Sequence, residues 1–256
     1  MLRNLFTIVL MLILISISAN SQITTLKELE AKFYEKCGTQ EDYSKIKTLK
    51  IIGNDILSTM GFEGPTIILI KMPDKLRAET EIMGAINIDV LEEESGWTIN
   101  PTQGITKPTD IPKQMLGFAW MQYGLLFKMP FLKIKPDDKK ENKPIEERYK
   151  FEGLEKIDDK EVYKLKRIDL DNSNLEINGY FDKENLFFVR ASITFHGEKQ
   201  DMNMTFNLSN HQKIANVYFP FLYEYQENGI TQETIVIESI EPNVPIDEKI
   251  FEKPRK

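Results

Sequence analysis

The 256-residue sequence contains one cysteine and two histidines. A single cysteine cannot form an internal disulfide, so the fold must be held by its hydrophobic core, which the 41% apolar composition can supply. His196 and His211 are far apart in the sequence, and neither has a Cys or His neighbour at metal-ligand spacing. We therefore expect neither a disulfide framework nor a metal site.

Motifs for catalysis and nucleic-acid binding are also lacking. The sequence contains no Gly-rich phosphate loop and no Gly-x-Ser-x-Gly elbow, and its acidic runs are typical of solvated surface. Cys37 falls on the apolar stripe of a predicted helix, which favours a buried thiol over a nucleophile. The net charge of -7 and the absence of a basic cluster argue against nucleic-acid binding. We expect no enzyme activity and no cofactor, and an unrecognised hydrolase is the least favoured alternative.

The first 21 residues predict a secretory signal peptide. Arg3 precedes an uncharged run from Leu5 to Ile15 that is apolar except for Thr7, and Ala19 and Ser21 occupy the positions that a signal peptidase prefers. The alternative is a membrane anchor, but the apolar run is shorter than the roughly 20 residues that a spanning helix needs. No Cys follows the run for lipidation. We expect an exported, periplasmic chain in which residues 22–256 form a single domain.

An amphipathic helix is predicted directly after the signal peptide. Thr25 and Glu28 have the spacing of a capping box, and Gly38 is a natural C-terminal stop. Between them, apolar residues recur at helical spacing; these are Leu26, Leu29, Phe33, Tyr34 and Cys37. The pattern predicts a helix of about three turns.

Most of the remaining chain predicts antiparallel strands. The segments are short, alternate between apolar and polar residues, and are bounded by Gly, Pro, Asn or Asp. They are Leu49–Leu57, Thr66–Met72, Leu76–Ile82, Ile86–Val90, the run containing Trp97 and Ile99, Lys150–Ile157, Glu161–Ile168, Leu175–Phe181, Phe187–Phe195, Met202–Leu208, Val217–Tyr225 and Thr231–Ile240. We expect these segments to form one dominant sheet.

The stretch IILIKMPDKLRAETEI, Ile67–Ile82, contains an unusual step. Ile67–Met72 is apolar on both faces, which predicts a strand that is covered on both sides. The segment Pro73–Lys75 interrupts the ladder at an edge or bend, where proline is tolerated. Leu76–Ile82 alternates strictly and is expected to have one wet face.

A second helix is predicted in the middle of the chain. Asp110 is a candidate N-cap, Pro112 suits a first turn, and Met115–Phe127 is apolar nearly all round. Pro130 ends this pattern, and the charged segment Lys133–Arg148 predicts a solvated loop.

These elements together predict an α+β fold. A twisted open sheet of this size tends to curl, and the two predicted helices are too few to cover it. We expect a large curled antiparallel sheet that forms a half-open β-barrel, with an N-terminal helix and a helical lid. The apolar half of each alternation should line the concave side, and Met115–Phe127 should lie at its mouth.

Seven features resemble, in this order, the LolA/LolB-like outer-membrane lipoprotein-sorting family. They are the signal peptide, IILIKMPDKLRAE (Ile67–Glu79), ESGWTINP (Glu94–Pro101), EVYKLK (Glu161–Lys166), GYFDKENLFFVR (Gly179–Arg190), FPFLYEYQENG (Phe219–Gly229) and IESIEPNVPIDEKIFEKP (Ile237–Pro254). The resemblance implies a partly open antiparallel barrel with a helical lid. It also implies a periplasmic carrier that holds lipoprotein acyl chains and delivers them to the outer membrane. Because no lipidated Cys is present, the soluble branch of the family is the better match.

One position departs from the family pattern. The soluble carriers typically have an Arg immediately before the strand proline, where it latches the lid, whereas this chain has Met72 before Pro73. Arg77 is common in the wider family, but the resemblance assigns it no role. The expected apolar cavity and lid residues are Ile68, Ile70, Met72, Met115, Leu116, Phe118, Trp120 and Trp97. Trp97 and Trp120 could line the cavity or simply pack, and Trp120 is the better candidate for the cavity.

The first functional hypothesis is a periplasmic carrier without catalysis. Its partners would be lipoprotein acyl chains or other lipids, together with sorting proteins of the inner and outer membranes. The alternative is a periplasmic sensor or interaction module that uses the same half-barrel to bind an envelope protein or a lipid signal.

Overall fold

The structure, a computed structural model, describes residues 22–92, 94–124, 143–170 and 172–254. The predicted signal peptide lies outside the described residues, as do residues 125–127 of the predicted lid and most of the predicted charged loop. Within these ranges the chain forms fifteen strands, four α-helices and two 3₁₀ turns, Pro101–Gln103 and Glu248–Ile250. The helices are Leu26–Cys37 (α1), Gln40–Ser44 (α2), Lys113–Gly124 (α3) and Ile145–Arg148 (α4).

Thirteen of the strands form one antiparallel sheet, and two form a separate small hairpin. The strands are Thr48–Leu57 (β1), Phe62–Lys71 (β2), Lys75–Ile82 (β3), Ala85–Glu92 (β4), Ser95–Asn100 (β5), Ile105–Asp110 (β6), Tyr149–Ile157 (β7), Lys160–Arg167 (β8), Leu175–Asp182 (β9), Phe188–Phe195 (β10), Met202–Ser209 (β11), Gln212–Ile214 (β12), Val217–Phe219 (β13), Leu222–Glu227 (β14) and Ile230–Pro242 (β15). The sheet order is β6-β5-β4-β3-β2-β1-β15-β14-β11-β10-β9-β8-β7.

The sheet consists of two meanders that are joined at its centre. Strands β1 to β6 run outward to one edge, and β7 to β11 with β14 and β15 run inward from the other. The first and the last strands, β1 and β15, pair antiparallel and join the two halves. Because β6 and β7 are the outermost strands, residues 111–148, which include α3 and α4, connect the two edges of the sheet in sequence. The half-open α+β barrel that the alternation predicted is confirmed.

Helix α1 forms as predicted and packs onto the concave face. The side chain of Thr25 accepts a hydrogen bond from the backbone N–H of Glu28, and Glu28 reaches back to the N-cap, which completes the capping box. Leu26, Leu29, Phe33 and Cys37 are buried in the main core. The ring of Phe33 meets that of Phe181 on β9 edge-on, with centroids 5.8 Å apart. The helix therefore covers part of the C-terminal meander.

A single large cluster of apolar side chains fills the concave side. In β1, buried residues alternate with half-buried ones from Leu49 to Asp55, as the period of two requires. The same face continues through Ile68 and Ile70 of β2, Leu76 and Ala78 of β3, and Ile235 and Ile237 of β15. The concave face is thus the inner surface of the half-barrel.

The C-terminal segment covers the convex face of the N-terminal meander. Val90, Trp97 and Phe251 form a separate buried cluster there. The indole N–H of Trp97 donates to the carbonyl of Phe251 over 2.9 Å, and Arg77 donates to the carbonyl of Ile250 over 2.8 Å. Arg77 also lies 5.7 Å from the centre of the Trp97 ring, at cation–π distance. Arg77, to which the resemblance assigned no role, holds this segment in place.

Several predicted boundaries were wrong for identifiable reasons. Asp110 does not cap a helix: it is the last residue of β6, an edge strand that contains Pro108, and α3 begins at Lys113. Val217–Tyr225 is not one strand, because it divides at Pro220 into β13 and β14. The predicted loop ends in α4, where Arg148 is buried rather than solvated.

The stretch Ile67–Ile82 also differs from its prediction. Ile68 and Ile70 are buried on the concave face, but Ile67 on the opposite face is 38% exposed. The strand is therefore covered on one face only in this part of the sheet. Pro73 lies in the turn between β2 and β3, which agrees with the predicted break in the ladder.

Candidate functional site

Helix α3 lies on the concave face over the N-terminal meander. Leu116 and Tyr123, seven positions apart and so on one side of the helix, are buried in the main core. A Cβ atom at Gly96 of β5 would lie 2.8 Å from the carbonyl oxygen of Val90 and 3.1 Å from Leu116 Cδ2, so glycine at this position allows both β4 and the helix to approach closely. The position of α3 is that of the predicted lid, in the connection between the two edges of the sheet.

The predicted cavity residues fall into three groups. Ile68, Ile70 and Leu116 are buried together in the main core, and Met72 and Trp120 are half-buried at its margin. Met115 lies on α3 with half of its side-chain surface exposed. Phe118 lies within α3, and its side chain is outside the described part of the structure.

Trp97 is separated from this set by the sheet itself. A side chain at Gly96 would point toward Leu116 on the concave face. Because side chains alternate along a strand, the side chain of the next residue, Trp97, points to the convex face. There it packs against Val90 and Phe251. We therefore leave Trp97 out of the concave set and regard it as an anchor of the C-terminal segment.

A group of polar residues interrupts the apolar concave face near one end of the central strands. We call it the carboxyl–tyrosine cluster and define it as Asp55, Asp89, Tyr123, Tyr223 and Glu233. Asp55 on β1 and Tyr223 on β14 are both register partners of Ile235 on β15, and Glu233 lies two residues from Ile235 on the same face. Tyr123 joins from above, because its hydroxyl donates to Asp89 Oδ2 over 3.3 Å. The cluster therefore lies between α3 and the sheet.

Burial controls the protonation of this cluster. It raises the pKa of Asp55 to about 6, although a hydrogen bond from Thr80 Oγ1 to Asp55 Oδ2, 3.4 Å long, opposes the shift. Burial also raises the pKa of Asp89, and hydrogen bonds from Thr98 and Tyr123 oppose that shift. It raises the pKa of Tyr123 and of Tyr223 as well, and neighbouring carboxylates add to both effects. The raised pKa values show that the cluster lies in an environment of low dielectric constant, which favours the neutral forms of these side chains.

Sequence reasoning missed the carboxyl–tyrosine cluster, although a signal was present. Asp55 is in phase with Leu49 and Ile51 on β1, so alternation alone places it on the concave face. Glu233 is likewise in phase with Ile235 on β15. A charged residue at an inward-facing position of a strand is the pattern that could have revealed the cluster.

The raised pKa of Asp55 predicts that stability depends on pH. Between about pH 4 and pH 6 the folded protein holds a proton that the unfolded chain has released, so the free energy of unfolding falls as pH rises through this range. Above about pH 6 the loss is complete, and we expect Asp55→Asn to raise the free energy of unfolding there by about 2 kcal/mol. Urea unfolding at about pH 4 and about pH 8 measures the difference.

The control for this experiment is Glu81→Gln, which changes an exposed carboxylate on β3. It should leave the pH dependence unaltered. An Asp55→Asn variant that is equally stabilised at both pH values would contradict the assignment, because the gain would then not come from titration of this carboxyl.

The described residues contain no group of three or more His, Cys, Asp and Glu side chains arranged to hold a metal ion. None of the helices in the described ranges has both the length and the apolar character needed to span a bilayer.

Comparison of the sequence finds no matching family model and no matching curated protein. The fold, by contrast, has similar solved structures. A LolA superfamily protein from Nitrosomonas europaea aligns over 90% of this chain and 99% of its own, with a TM-score of 0.53 and 13% identity. An outer membrane lipoprotein-sorting protein domain from Vibrio parahaemolyticus aligns over 84% and 94%, with a TM-score of 0.51 and 11% identity.

A DUF1329 family protein from Desulfovibrio piger is a third similar structure, with a TM-score of 0.53, 11% identity and coverage of 88% of this chain and 95% of its own. At such identities the likeness establishes the fold alone. The chain has a LolA-like half-barrel fold, as the resemblance in the sequence predicted.

Proposed function

We propose that the protein is a non-catalytic periplasmic carrier that binds acyl chains of lipoproteins or related amphiphiles and delivers them to the outer membrane. The observation that carries the proposal is the apolar concave face of a LolA-like half-barrel with α3 lying directly on it. The similar Vibrio parahaemolyticus domain is described as lipoprotein-sorting, which supports the same cargo.

Energetics explain why such cargo needs a carrier. Burying one methylene group contributes about 0.8 kcal/mol, so a chain of ~15 methylenes resists transfer into water by roughly 12 kcal/mol. A carrier must offer a surface of similar apolarity that the cargo can also leave. The main core supplies this surface once α3 moves away, because Leu116 and Tyr123 then uncover it.

The proposed binding residues are Ile68, Ile70, Met72, Leu116 and Trp120. They lie on facing surfaces, the first three on β2 and the turn after it, the last two on α3. An acyl chain would pack against the part of the sheet that α3 now covers. Met72 and Trp120, at the margin of the core, would adapt to the shape of the chain.

Exposed apolar side chains at one end of the sheet support delivery to a membrane. Strands β1, β3 and β14 run in the same direction, so the turns that follow them lie at the same end. Met60 and Met83 lie in two of these turns and Ile230 directly follows the third, and the three are 57%, 78% and 61% exposed. Such side chains at neighbouring turns suit contact with an apolar surface.

Lipid extraction from the purified protein followed by mass spectrometry tests the proposal. We expect acyl-chain lipids or lipoproteins to co-purify in about one-to-one ratio, and an unrelated exported protein carrying the same tag should yield none. A protein that is consistently empty, does not take up added long-chain amphiphiles and retains a tight protein partner would refute the carrier and support the sensor instead.

A further inference from the structure

The carboxyl–tyrosine cluster places acidic side chains within an otherwise apolar surface. Asp55, Tyr223 and Glu233 are buried, with exposures of 6%, 0% and 4%. The carboxylates of Asp55 and Glu233 contribute to the raised pKa of both Tyr123 and Tyr223. Buried carboxyl groups usually pair with a cation, so this region is electrostatically complementary to one.

A second observation indicates that the cluster faces a ligand. The hydroxyl of Tyr223 and the Oδ1 atom of Asp55 are fully buried and have no hydrogen-bond partner among the described residues. Leaving such atoms unsatisfied is costly, and native structures rarely do so without a reason. Tyr223 and Asp55 lie on either side of Ile235 on the same face of the sheet, so one small group above Ile235 could reach both.

We propose that the carboxyl–tyrosine cluster is a polar subsite for the ammonium head group of an amphiphile whose hydrocarbon part lies on the neighbouring apolar strands. An ammonium group has only donors, which match the free acceptor of Asp55 and the phenol oxygen of Tyr223. A metal ion fits less well, because the described residues contain no ligand set for one. This subsite rests on the proposed carrier function and specifies the chemical class of its cargo.

The arrangement places the two parts of such a ligand next to each other. Thr66 and Thr80, whose hydroxyls lie 2.9 Å apart, lie beside the subsite, and Thr80 donates to Asp55 Oδ2. On the same two strands the next inward residues are Ile68 and Ala78. Tyr123 covers the subsite from α3, so the same helix movement admits the head group and the hydrocarbon chain.

Titration calorimetry with two chain-matched probes, dodecylammonium and dodecanol, tests the subsite at about pH 8, where Asp55 is ionised. We expect the wild-type protein to bind the ammonium roughly tenfold more tightly than the alcohol. Asp55→Asn should reduce this ratio to about one, and the surface control Glu81→Gln should retain it. Tyr223→Phe removes only a hydroxyl and should lower the ratio severalfold, which provides a second, independent test.

The outcomes separate this inference from the carrier proposal. Equal binding of the two probes to the wild-type protein, or an unchanged ratio in both folded variants, would overturn the subsite and leave the carrier standing. Failure of both probes to bind the wild-type protein would overturn the subsite and count against the carrier as well.

Discussion

Replacing Leu116 by Asp is expected to abolish binding of long-chain amphiphiles, with a loss of affinity of about a hundredfold or more. Leu116 is the buried contact of α3 with Gly96 and the apolar face of β4 and β5. Burying a carboxylate there without a partner is unfavourable, so α3 would no longer pack against the sheet. The cargo would then lose its contacts with α3. Losing about 3 kcal/mol of apolar contact corresponds to this factor. Calorimetric titration with dodecanol measures it.

Gln114→Asp is the matched control, since it adds the same charge two residues away at an exposed position of α3. It should bind normally. Because α3 packs onto the sheet without contributing a strand to it, the sheet should still form in Leu116→Asp. The far-ultraviolet circular dichroism of this variant should therefore remain close to that of the wild-type protein. If folded Leu116→Asp binds dodecanol with unchanged affinity, α3 is not a lid.

Replacing Phe33 by Ala is expected to lower the free energy of unfolding by about 3 to 5 kcal/mol. Phe33 has no exposed surface, and its ring packs edge-on against Phe181 and parallel to Tyr43. Its removal leaves a cavity between α1 and the C-terminal meander that the rigid sheet cannot close. Equilibrium urea unfolding measures the change, provided that the slope of the transition stays constant.

Glu35→Ala, two residues along on the exposed side of α1, is the control and should change stability by less than about 0.5 kcal/mol. A loss below about 1 kcal/mol for Phe33→Ala would mean that α1 contributes little to the core, contrary to the burial of its apolar stripe.

The elements that were predicted correctly are those fixed by local chemistry. Thr25 and Glu28 determine the start of α1 because both halves of a capping box lie within four residues. The predicted end of the strand Lys150–Ile157 is also correct, because Asp158 and Asp159 adopt the positive φ angles that a two-residue hairpin turn requires. Such signals need no knowledge of the rest of the chain.

The elements that were missed depend on distant partners. Strand β6 contains Pro108 and is largely exposed, so neither its composition nor its burial pattern indicates a strand. It is a strand because it pairs with β5. In β10, a register shift between Phe188 and Arg190 lets both Phe188 and Ala191 be buried in the core, although strict alternation would place them on opposite faces. The carboxyl–tyrosine cluster combines residues from four strands and a helix, and sequence spacing alone cannot show that they meet.

Part of the resemblance in the sequence reflects the scaffold rather than the site. Arg77, Trp97 and Phe251 belong to three different resembling segments, and they meet on the convex face. These segments hold the C-terminal part against the sheet. The resemblance of these segments therefore indicates the fold, whereas the residues that would select a cargo lie on the concave face.

The pairing of β1 with β15 has a consequence for how the molecule reaches its final shape. In the N-terminal meander, one edge of β1 stays unpaired until β15, almost two hundred residues later in the sequence, binds to it. The sheet therefore has a high contact order. An open edge of this kind is prone to join a wrong partner until it is closed. We expect the nascent chain to fold slowly and to depend on protection from aggregation until its last strand has docked.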